Sequence, residues 1–512
     1  MPKKIKLTNI ILLLILLLGF SVRVYQVSVI PPGFFADEAS IGYNAYTLIN
    51  NFSDETGNKS PVFFKNFGSF YRPGLSIYLT SPFIFLFGLN EFSSRFSSAV
   101  FGTLTILIVY YLTIYLFKNY KIALLSSLFL AISPWHIHFS RINQEFAYLA
   151  FSLSFSLLIF LLGIHKRKKL IPLSFVLFGL SLYSYVTAYV IIPLFLVSLC
   201  TIYYKKIKIN KKFFLIGFIL LSIISLPLIL GLSNGKTMSR FNQISTANEM
   251  KTKQEIFKGV INTYKGHFSS DFLFTKGDID YKEHFITRFS VRGIGQLYLF
   301  QLPFIILGFI YSYRYKKTFL LLLAWLIIFP LGSTFAPFAD GGGPFASRSI
   351  TGVIPFQIFT AAGIFYLLSL AKRKIVKKSL ILLIFISIIL SFYRFLFLYF
   401  SEYPKYSSNF WGWQYGAREI VNYFEEHENE YDHLYMAPEF NAPDIFLKFY
   451  SPQNCHKCAV GLPKDFMNQK GKTLFAVTPA YLSQNSDINF LTIKEVKYPK
   501  GGVAFKIGTI VK

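Results

Sequence analysis

Cysteine is scarce in this chain, with three residues among 512. Cys200 lies in an apolar run, and Cys455 and Cys458 lie near the end, which excludes a scaffold built on disulfides. Metal binding by a CxxC motif would need a second such pair, and the sequence has none. Redox chemistry would need a thioredoxin-like βαβ context, which the neighbouring residues do not supply. The pattern therefore favours a local structural disulfide between Cys455 and Cys458.

Charged residues are also few, at 15% of the chain, and the acids are outnumbered, with 25 Asp and Glu against 52 Lys and Arg. Hydrophobic residues make up 53% and aromatic residues 19%, which is far from an ordinary soluble domain. The motifs GxxxxGK[ST], GxGxxG and HExxH are absent, so nucleotide-driven transport and zincin chemistry have no support. The composition indicates an integral membrane protein.

Eleven apolar windows are long enough to cross roughly 30 Å of hydrocarbon at about 1.5 Å per residue. They are residues 8–29, 96–117, 121–140, 147–164, 170–187, 188–204, 213–231, 297–315, 318–335, 349–371 and 379–399. A twelfth candidate, 75–89, is short and contains Pro82. We expect it to be a juxtamembrane or re-entrant helix, because a full crossing there would move every later loop to the other side.

The basic turns support this assignment. With eleven spans they all fall on the side of the N-terminal Lys3, Lys4 and Lys6, and with these three lysines they hold 22 of the 52 Lys and Arg residues: 118–121, 165–169, 205–212, 313–317 and 372–378. Such an asymmetry is typical of cytoplasmic loops. We therefore expect a multi-pass plasma-membrane protein with a cytoplasmic N-terminus, and we attribute its net charge of +27 to topology and not to nucleic-acid binding.

The expected fold class is an α-helical polytopic membrane protein with a small extracytoplasmic α/β domain. Residues 1–400 would carry the transmembrane helices, with a first outer loop at 30–95 and a long outer loop at 232–296. Residues 401–512 alternate β-like runs such as HLYMAP with amphipathic stretches such as AREIVNYFEEH, which predicts the α/β domain.

Asp37 and Glu38 follow the first span, in FADEASIGYN. An acidic pair at a helix start often only complements the helix dipole. The flanks PPGFF and GYNAY are apolar and aromatic, however, and unpaired charge is costly in the membrane interface. Glu145, at the outer end of a later span, could face the same cavity, and a salt bridge to Arg141 at i,i+4 is the simpler reading, which is compatible with a catalytic role. The three carboxylates are candidate catalytic groups, and Asp37 and Glu145 are possible ligands of Mg²⁺ or Mn²⁺.

Several basic residues share the outer side and are candidates for binding a phosphate group. Arg348 is the first of them, because it opens an apolar run, where an Arg is expensive unless it is paired. The others are Arg72, Lys236, Arg240, His284, Arg288 and Arg292. For Lys236 and Arg240 an ordinary solvated loop is the alternative.

Three stretches together resemble a known family. They are RVYQVSVIPPGFFADEASIGYNAYTLI at 23–49, the segment YRPGLSIYLTSPF and its continuation to residue 117, and LAISPWHIHFSRINQEFAYL at 130–149. They resemble the protein O-mannosyltransferase and aminoarabinose-transferase group of the C-type glycosyltransferase superfamily. The likeness continues more loosely through 277–308 and 345–363.

The resemblance implies a membrane enzyme that moves a sugar from a polyprenyl-phosphate carrier to an acceptor on the outer face, with inversion at the anomeric carbon. The family's catalytic carboxylate falls on Asp37, within the acidic pair with Glu38, and its later acidic position falls on Glu145. Its basic-Pro-Pro stretch falls on Arg72-Pro73, with Gly74 in place of the second proline. Its phosphate-binding residue near a late span falls on Arg348. The mannosyltransferase branch works without an obligatory metal, whereas related oligosaccharyltransferases hold a divalent ion.

Two other functions stay open at this stage. A lipid-linked sugar flippase would show polar or broken segments within several spans and inverted repeats, whereas these spans are rich in Phe, Leu and Ile. A relative that has lost catalysis would organise an envelope assembly. The sequence does not name the sugar, and the acceptor is a protein, a lipid or a surface glycan.

Overall fold

The structure is a computed structural model that describes residues 2–59, 61–68, 70–233, 252–278, 287–334, 343–452 and 455–511. Among these residues, seven helices are long and apolar enough to cross a membrane: Lys6–Val24, Glu91–Phe117, Glu145–His165, Lys211–Ser233, Lys316–Thr334, Ile350–Leu370 and Lys374–Tyr406. Five apolar helices are shorter: Leu75–Phe87, Tyr120–Ala131, Leu170–Ser181, Ala188–Ile202 and Gln301–Ser312. The chain is therefore a multi-pass membrane protein. The count of eleven spans stays a prediction, because four of the expected windows hold only these shorter helices.

The helices of the first half follow the order expected from the sequence. They are α1 (Pro2–Val24), α2 (Ala36–Asn51), α3 (Leu75–Phe87), α4 (Glu91–Phe117), α5 (Tyr120–Ala131), α6 (Pro134–Phe139), α7 (Glu145–His165), α8 (Leu170–Ser181), α9 (Ala188–Ile202), α10 (Tyr204–Ile209) and α11 (Lys211–Ser233). A hairpin of β1 (Phe63–Asn66) and β2 (Phe70–Pro73) lies between α2 and α3.

The later helices are α12 (Lys253–Gly266), α13 (Gln301–Ser312), α14 (Lys316–Ile328), α15 (Leu331–Thr334), α16 (Val353–Leu370), α17 (Lys374–Phe397) and α18 (Tyr403–Tyr406). Short π-helical segments cover Asp271–Thr275 and Leu398–Glu402, and 3-10 turns cover Thr287–Phe289 and Ile350–Gly352.

One expected span is divided into two helices. Window 121–140 forms α5 and α6, with the break at Ser133-Pro134. The Ser133 hydroxyl oxygen accepts a hydrogen bond from the His136 N–H at 3.4 Å, and Pro134 occupies the first turn of α6. Serine followed by proline is a signal for the start of a helix. A hydropathy window does not detect this boundary, because both sides of it are apolar.

The acidic residues and the lysine-rich turns lie at opposite ends of the same helices. Helix α7 runs from Glu145 to His165, about 30 Å at 1.5 Å per residue. At its far end, three lysines from two of these turns lie 5.4–5.6 Å from the centroids of aromatic rings: Lys166 over Tyr115, Lys168 over Phe213 and Lys317 over Tyr203. We call this end the lysine end and the end with Asp37, Glu38 and Glu145 the acidic end.

Residues 401–512 contain a five-stranded mixed sheet in the order β4-β3-β5-β7-β6. Its strands are β3 (His433–Met436), β4 (Cys458–Val460), β5 (Thr473–Val477), β6 (Phe490–Lys497) and β7 (Val503–Ile510), and its helices are α19 (Ala417–Glu426), α20 (Asp444–Tyr450) and α21 (Pro479–Gln484). A 3-10 turn covers Pro463–Phe466. Strand β3 pairs in parallel with both β4 and β5, and the last two strands form an antiparallel hairpin. Phe449 of α20 packs on Phe34, so the sheet domain contacts the segment that precedes α2.

Helices α13 and α16 cross at two glycines. A Cβ at Gly308 would overlap the carbonyl oxygen of Phe359, and a Cβ at Gly363 would overlap that of Phe304. Close approach through small residues is the usual way in which membrane helices gain packing contacts.

We predict that Gly308→Ala destabilises the protein. Alanine favours helix by about 1 kcal/mol over glycine, but the methyl group would meet backbone atoms that cannot rotate away, and overpacking costs about 1–3 kcal/mol. Thermal unfolding of the purified protein in detergent should therefore show a lower midpoint. Ser369→Ala on the exposed surface of α16 is the matched control, and an equal midpoint for both variants would contradict the close crossing.

Candidate active site

Asp37 lies in the first turn of α2 and is joined to Glu145 through one arginine. Arg72, in strand β2 of the hairpin, donates from Nη2 to Asp37 Oδ1 at 2.7 Å and from Nη1 to the Asp37 carbonyl oxygen at 3.2 Å. Its Nε lies 3.5 Å from Glu145 Oε1, at the start of α7. Arg72 is fully buried, whereas 12% of the Asp37 side chain is exposed. Three chain segments thus meet at one guanidinium, and the carboxylate of Asp37 keeps an accessible surface.

The hairpin explains why glycine follows Pro73. A Cβ at Gly74 would lie 2.8 Å from the Val62 carbonyl oxygen and from the Phe64 ring. A second proline, as the family pattern has it, would therefore collide with the opposite strand. The departure from the pattern is a local packing solution that leaves Arg72 in place.

Glu38, next to Asp37, has a different environment. Its Oε1 accepts from Arg95 Nε at 2.9 Å and from the Asn143 N–H at 2.9 Å. Its Oε2 accepts from Arg95 Nη2 at 2.8 Å and from the Phe35 N–H at 3.3 Å. The side chain is fully buried, and a carboxylate has about four acceptor positions. These four hydrogen bonds fix the chain around Asp37, and the catalytic role expected of Glu38 stays a prediction.

Arg95 is the residue that the sequence analysis missed. Besides the two bonds to Glu38, it donates from Nη1 to the carbonyl oxygens of Val27 and Pro31 and from Nη2 to that of Gly33. All five N–H groups are thus used. The guanidinium also lies over the rings of Phe34 and Trp413, at 5.1 and 5.6 Å. The available signal was an arginine in the apolar stretch EFSSRFSS, where a charge is expensive unless it is paired.

Two further buried arginines tie helix ends together at the acidic end. Arg23 of α1 donates to the Leu130 and Ala131 carbonyl oxygens, which end α5. Arg141 donates to the carbonyl oxygens of Val22, Arg23 and Ile30, of which the first two end α1. A helix C-terminus carries partial negative charge and free carbonyl oxygens, which suit a cation. The alternative pairing of Glu145 with Arg141 is therefore wrong, since Arg141 binds backbone oxygens.

Arg288 lies beside the start of α2. Its guanidinium is 4.0 Å from the centroid of the Phe35 ring, and its Nη1 donates to the Trp411 carbonyl oxygen at 2.7 Å. The backbone oxygen of Arg288 in turn accepts from the Tyr403 hydroxyl group at 2.7 Å and lies 2.6 Å from His138 Nε2. Arg288 is therefore held close to the acidic pair by the segment that follows α17.

Arg292 lies one short loop further along the chain. Its guanidinium stacks 4.4 Å from the Tyr406 ring centroid, and its backbone N–H donates to the Tyr406 hydroxyl oxygen at 2.8 Å. The side chain is exposed and lines a cavity of about 850 Å³ between α12 and the loop at 343–344.

Arg348 lies 4.7 Å from the centroid of the Phe345 ring and is partly exposed. Two residues shortly before Arg348 are held by hydrogen bonds. Trp135 Nε1 donates to the Ala346 carbonyl oxygen at 2.9 Å, and the Phe345 N–H donates to His267 Nε2 at 3.2 Å. Burial, with a further contribution from the positive charge of Arg348, lowers the pKa of His267 to about 4, so the imidazole stays a neutral acceptor at pH 7. Lys236, Arg240 and His284 lie outside the described residues.

The phosphate-binding role expected of Arg72 stays a prediction. A buried guanidinium between two carboxylates is already neutralised, so it has little positive charge to offer a phosphate. In this structure Arg72 contacts the carboxylates of both Asp37 and Glu145.

The same arrangement bears on a divalent metal at Asp37 and Glu145. Their two carboxylates share the Arg72 guanidinium, so an added divalent cation would meet a positive charge between its two ligands. Within the described part of the chain, no three His, Cys, Asp or Glu side chains come together in a group that could hold a metal. The residues present therefore do not fit a metal in this arrangement, and we derive no chemistry through one.

Cys455 and Cys458 are joined in a disulfide with a Cα–Cα distance of 5.4 Å. The bond closes the turn that leads into β4. Cys200, in α9, is a free thiol.

The fold of this chain has known counterparts among solved structures. The fold matches ArnT from Cupriavidus metallidurans bound to undecaprenyl phosphate, with a TM-score of 0.58 and 12% identity over 99% of this chain and 98% of that chain. It also matches the archaeal oligosaccharyltransferase AglB from Archaeoglobus fulgidus in complex with an inhibitory peptide and a dolichol-phosphate, with a TM-score of 0.56 and 14% identity over 90% of this chain and 65% of that chain. The chain shares the fold of these two proteins.

Residues 72–230 match the family model of dolichyl-phosphate-mannose-protein mannosyltransferases. The resemblance expected from the sequence is thereby confirmed over these residues. No curated protein gives a significant match to the sequence.

We predict that Glu38→Gln destabilises the protein by about 3–5 kcal/mol, because it leaves the Arg95 guanidinium buried without its counter-charge. The readout is thermal unfolding in detergent. The control is Glu419→Gln, whose partner Arg418 is 37% exposed and which should cost less than about 1 kcal/mol. Equal losses in the two variants would mean that the buried pair does not hold the start of α2.

Proposed function

We propose that this chain is an inverting membrane glycosyltransferase that moves a sugar from a polyprenyl-phosphate carrier to an acceptor hydroxyl group. The observation that carries the proposal is the Asp37–Arg72–Glu145 cluster at the acidic end, in which Arg72 and Glu145 belong to the residues that match a glycosyltransferase family. The acceptor is a protein, a lipid or a surface glycan, and the transferred sugar is a hexose or a pentose.

Asp37 would act as the general base. Of the two neighbouring acids, it is the one with accessible surface, whereas Glu38 is fully buried and saturated with hydrogen bonds. Arg72 holds one oxygen of Asp37 at 2.7 Å, which fixes the direction of the carboxylate. The negative charge of Glu145 lies on another side of the same guanidinium, so the positive charge of Arg72 is shared between Glu145 and Asp37.

The reaction would then follow from charge. The acceptor oxygen attacks the anomeric carbon while Asp37 takes its proton, and the bond from that carbon to the phosphate oxygen breaks with the electron pair on the phosphate. Attack from the face opposite the phosphate inverts the anomeric carbon. Negative charge grows on the leaving phosphate, where cations stabilise the transition state. Arg288 is the nearest candidate, since it contacts Phe35, and Arg292 and Arg348 are the other described candidates.

The donor is lipid-linked, so it would reach the site from within the bilayer. One of the structural relatives is bound to undecaprenyl phosphate and another is in complex with a dolichol-phosphate, which supports a carrier of this class. We place the acidic end on the outer face of the plasma membrane and the lysine end in the cytoplasm, because cytoplasmic turns collect Lys and Arg. The N-terminus would be cytoplasmic, and the sheet domain at 401–512 extracytoplasmic.

No obligatory metal is part of this proposal. The Arg72 guanidinium supplies positive charge between Asp37 and Glu145, where a divalent ion would otherwise be expected. Nucleotides are not needed either, because the phosphodiester bond to the carrier stores the driving force.

We predict that Asp37→Asn lowers sugar transfer by about 10²–10⁴-fold, the usual contribution of a general base. The measurement is transfer of radiolabelled sugar from undecaprenyl-phosphate donors by membranes that contain the full chain. The variant is nearly isosteric, so its thermal unfolding should match that of the unaltered protein.

Asp54→Asn is the control for the same loop. Asp54 accepts hydrogen bonds from the Thr56 and Asn58 N–H groups and so shapes the turn at 54–58, without a contact to Arg72 or Glu145. Its transfer rate should stay close to that of the unaltered protein. Full activity of Asp37→Asn would remove Asp37 from the mechanism, and flipping of a lipid-linked sugar without transfer would favour the flippase alternative.

A further inference from the structure

A cavity of about 530 Å³ lies between the segment that follows α18 and the sheet domain. Its walls include the rings of Trp411, Tyr415, Phe440 and Tyr498 and the polar side chains of Gln414 and Glu439. Sites for small ligands measure roughly 300–1,000 Å³ and combine aromatic walls with a few polar groups. The size and the lining therefore suit a small organic ligand.

The cavity lies at a topological switch point of the sheet. Glu439 follows β3, and Thr478, also in the wall, follows β5. The two strands are parallel neighbours, and the chain moves from β3 to β4 on one side before it returns to β5 on the other. Crevices at the carboxyl ends of strands where the strand order reverses are the usual ligand positions of such sheets.

Two wall residues have buried polar atoms without a partner among the described residues. Gln414 is 2% exposed, and neither its amide oxygen nor its amide nitrogen makes a hydrogen bond. Glu439 Oε1 accepts from the Thr478 hydroxyl group at 3.0 Å, whereas its Oε2 is buried and makes none. Buried polar groups without partners are costly and rare, so each points to a ligand group that completes it. Gln414 also has a φ of 53°, a left-handed conformation that is strained for glutamine.

The chemistry of these groups selects the ligand class. The amide both donates and accepts, and the carboxylate accepts, which matches hydroxyl groups that can do both. The flat aromatic walls suit the C–H faces of a sugar ring. The wall contains a carboxylate and no Lys or Arg, which disfavours a phosphate or another anion.

The same segment connects the cavity to the acidic end. The backbone oxygen of Trp411 accepts the Arg288 hydrogen bond, and Arg288 stacks on Phe35, two residues before Asp37. Two residues beyond Trp411, the ring of Trp413 lies against Arg95. A ligand in the cavity would therefore be held beside the machinery proposed for transfer.

We propose that this cavity binds a saccharide unit and that the acceptor of the transfer reaction is a glycan. The identification of the bound sugar as acceptor rests on the proposed function, whereas the binding of a neutral saccharide rests on the cavity alone. The described contacts favour it over a peptide, because a hydroxyl-rich ring satisfies the unpartnered groups of both Gln414 and Glu439.

The test is a fluorescence titration of the full chain in phospholipid nanodiscs, since maltoside detergents carry a sugar. Of the four tryptophans, Trp411 is 37% exposed, while Trp135, Trp325 and Trp413 are at most 1% exposed. Trp411 is also the tryptophan in the wall of this cavity, so a change in tryptophan emission on titration would report binding there. Mannotriose, cellotriose and triacetylchitotriose are the probes. We expect saturable binding of at least one of them, weakened about ten-fold or more in Gln414→Ala and in Glu439→Gln, as loss of a hydrogen bond to a charged or buried group implies.

Met467→Ala, in the wall of a different cavity of the sheet domain, is the control and should bind as the unaltered protein does. Thermal unfolding identifies any variant that fails to fold, and Glu439→Gln, which keeps the shape of the side chain, is the variant that decides in that case. Absence of saccharide binding, or unchanged saccharide binding in both cavity variants, would overturn the inference. So would binding of a Ser- and Thr-containing peptide that both cavity variants weaken, if no saccharide binds.

Asp37→Asn separates the two proposals. It should bind the saccharide normally while transfer is lost, and Gln414→Ala should raise the KM for a glycan acceptor with kcat retained. Normal saccharide binding by a chain that transfers no sugar from any polyprenyl-phosphate donor would refute the transferase proposal and the acceptor role, and leave the saccharide site standing.

Discussion

The buried ion pair between Glu38 and Arg95 is the interaction on which the acidic end depends. Arg95 donates two hydrogen bonds to the carboxylate and three to carbonyl oxygens of the loop that leads to α2. Because a charged group in a low-dielectric interior is tolerated only when it is paired and fully hydrogen-bonded, the pair fixes the path of the chain over 27–38. Asp37 projects from this fixed segment, so its direction is set before any substrate binds.

The neighbouring arginines extend the same principle to whole helices. Arg23 closes the end of α5, Arg141 closes the end of α1, and Arg72 joins the hairpin to α2 and α7. Oily helices have little reason to meet at one particular height, because lipid is as apolar as their side chains. Buried cations that need several oxygens at once do supply such a reason. The outcome is a polar layer at one end of the bundle, and the lysine-rich turns lie at the other.

The positions of the apolar helices and of the acidic residues could be predicted from the sequence, whereas the contacts of the individual side chains could not. Apolar windows predicted where helices lie, and the composition around Asp37 indicated a special environment. The roles of Glu38 and Arg72 were not visible, because Arg95 is 57 residues from its partner and Arg72 is 35 residues from Asp37. Adjacent carboxylates look alike in a sequence, and only tertiary contacts separate a saturated one from an accessible one. The Ser133-Pro134 sequence indicated a helix boundary inside an expected span, but the span was assigned from hydropathy alone.

The most direct test of the central claim is a cryo-electron microscopy structure of the full chain in nanodiscs with undecaprenyl phosphate. The account predicts the phosphate at the acidic end, bonded to Arg288, Arg292 or Arg348 and separated from Asp37 by about the width of one sugar ring. A phosphate bound at the lysine end, among Lys166 and Lys317, would contradict it.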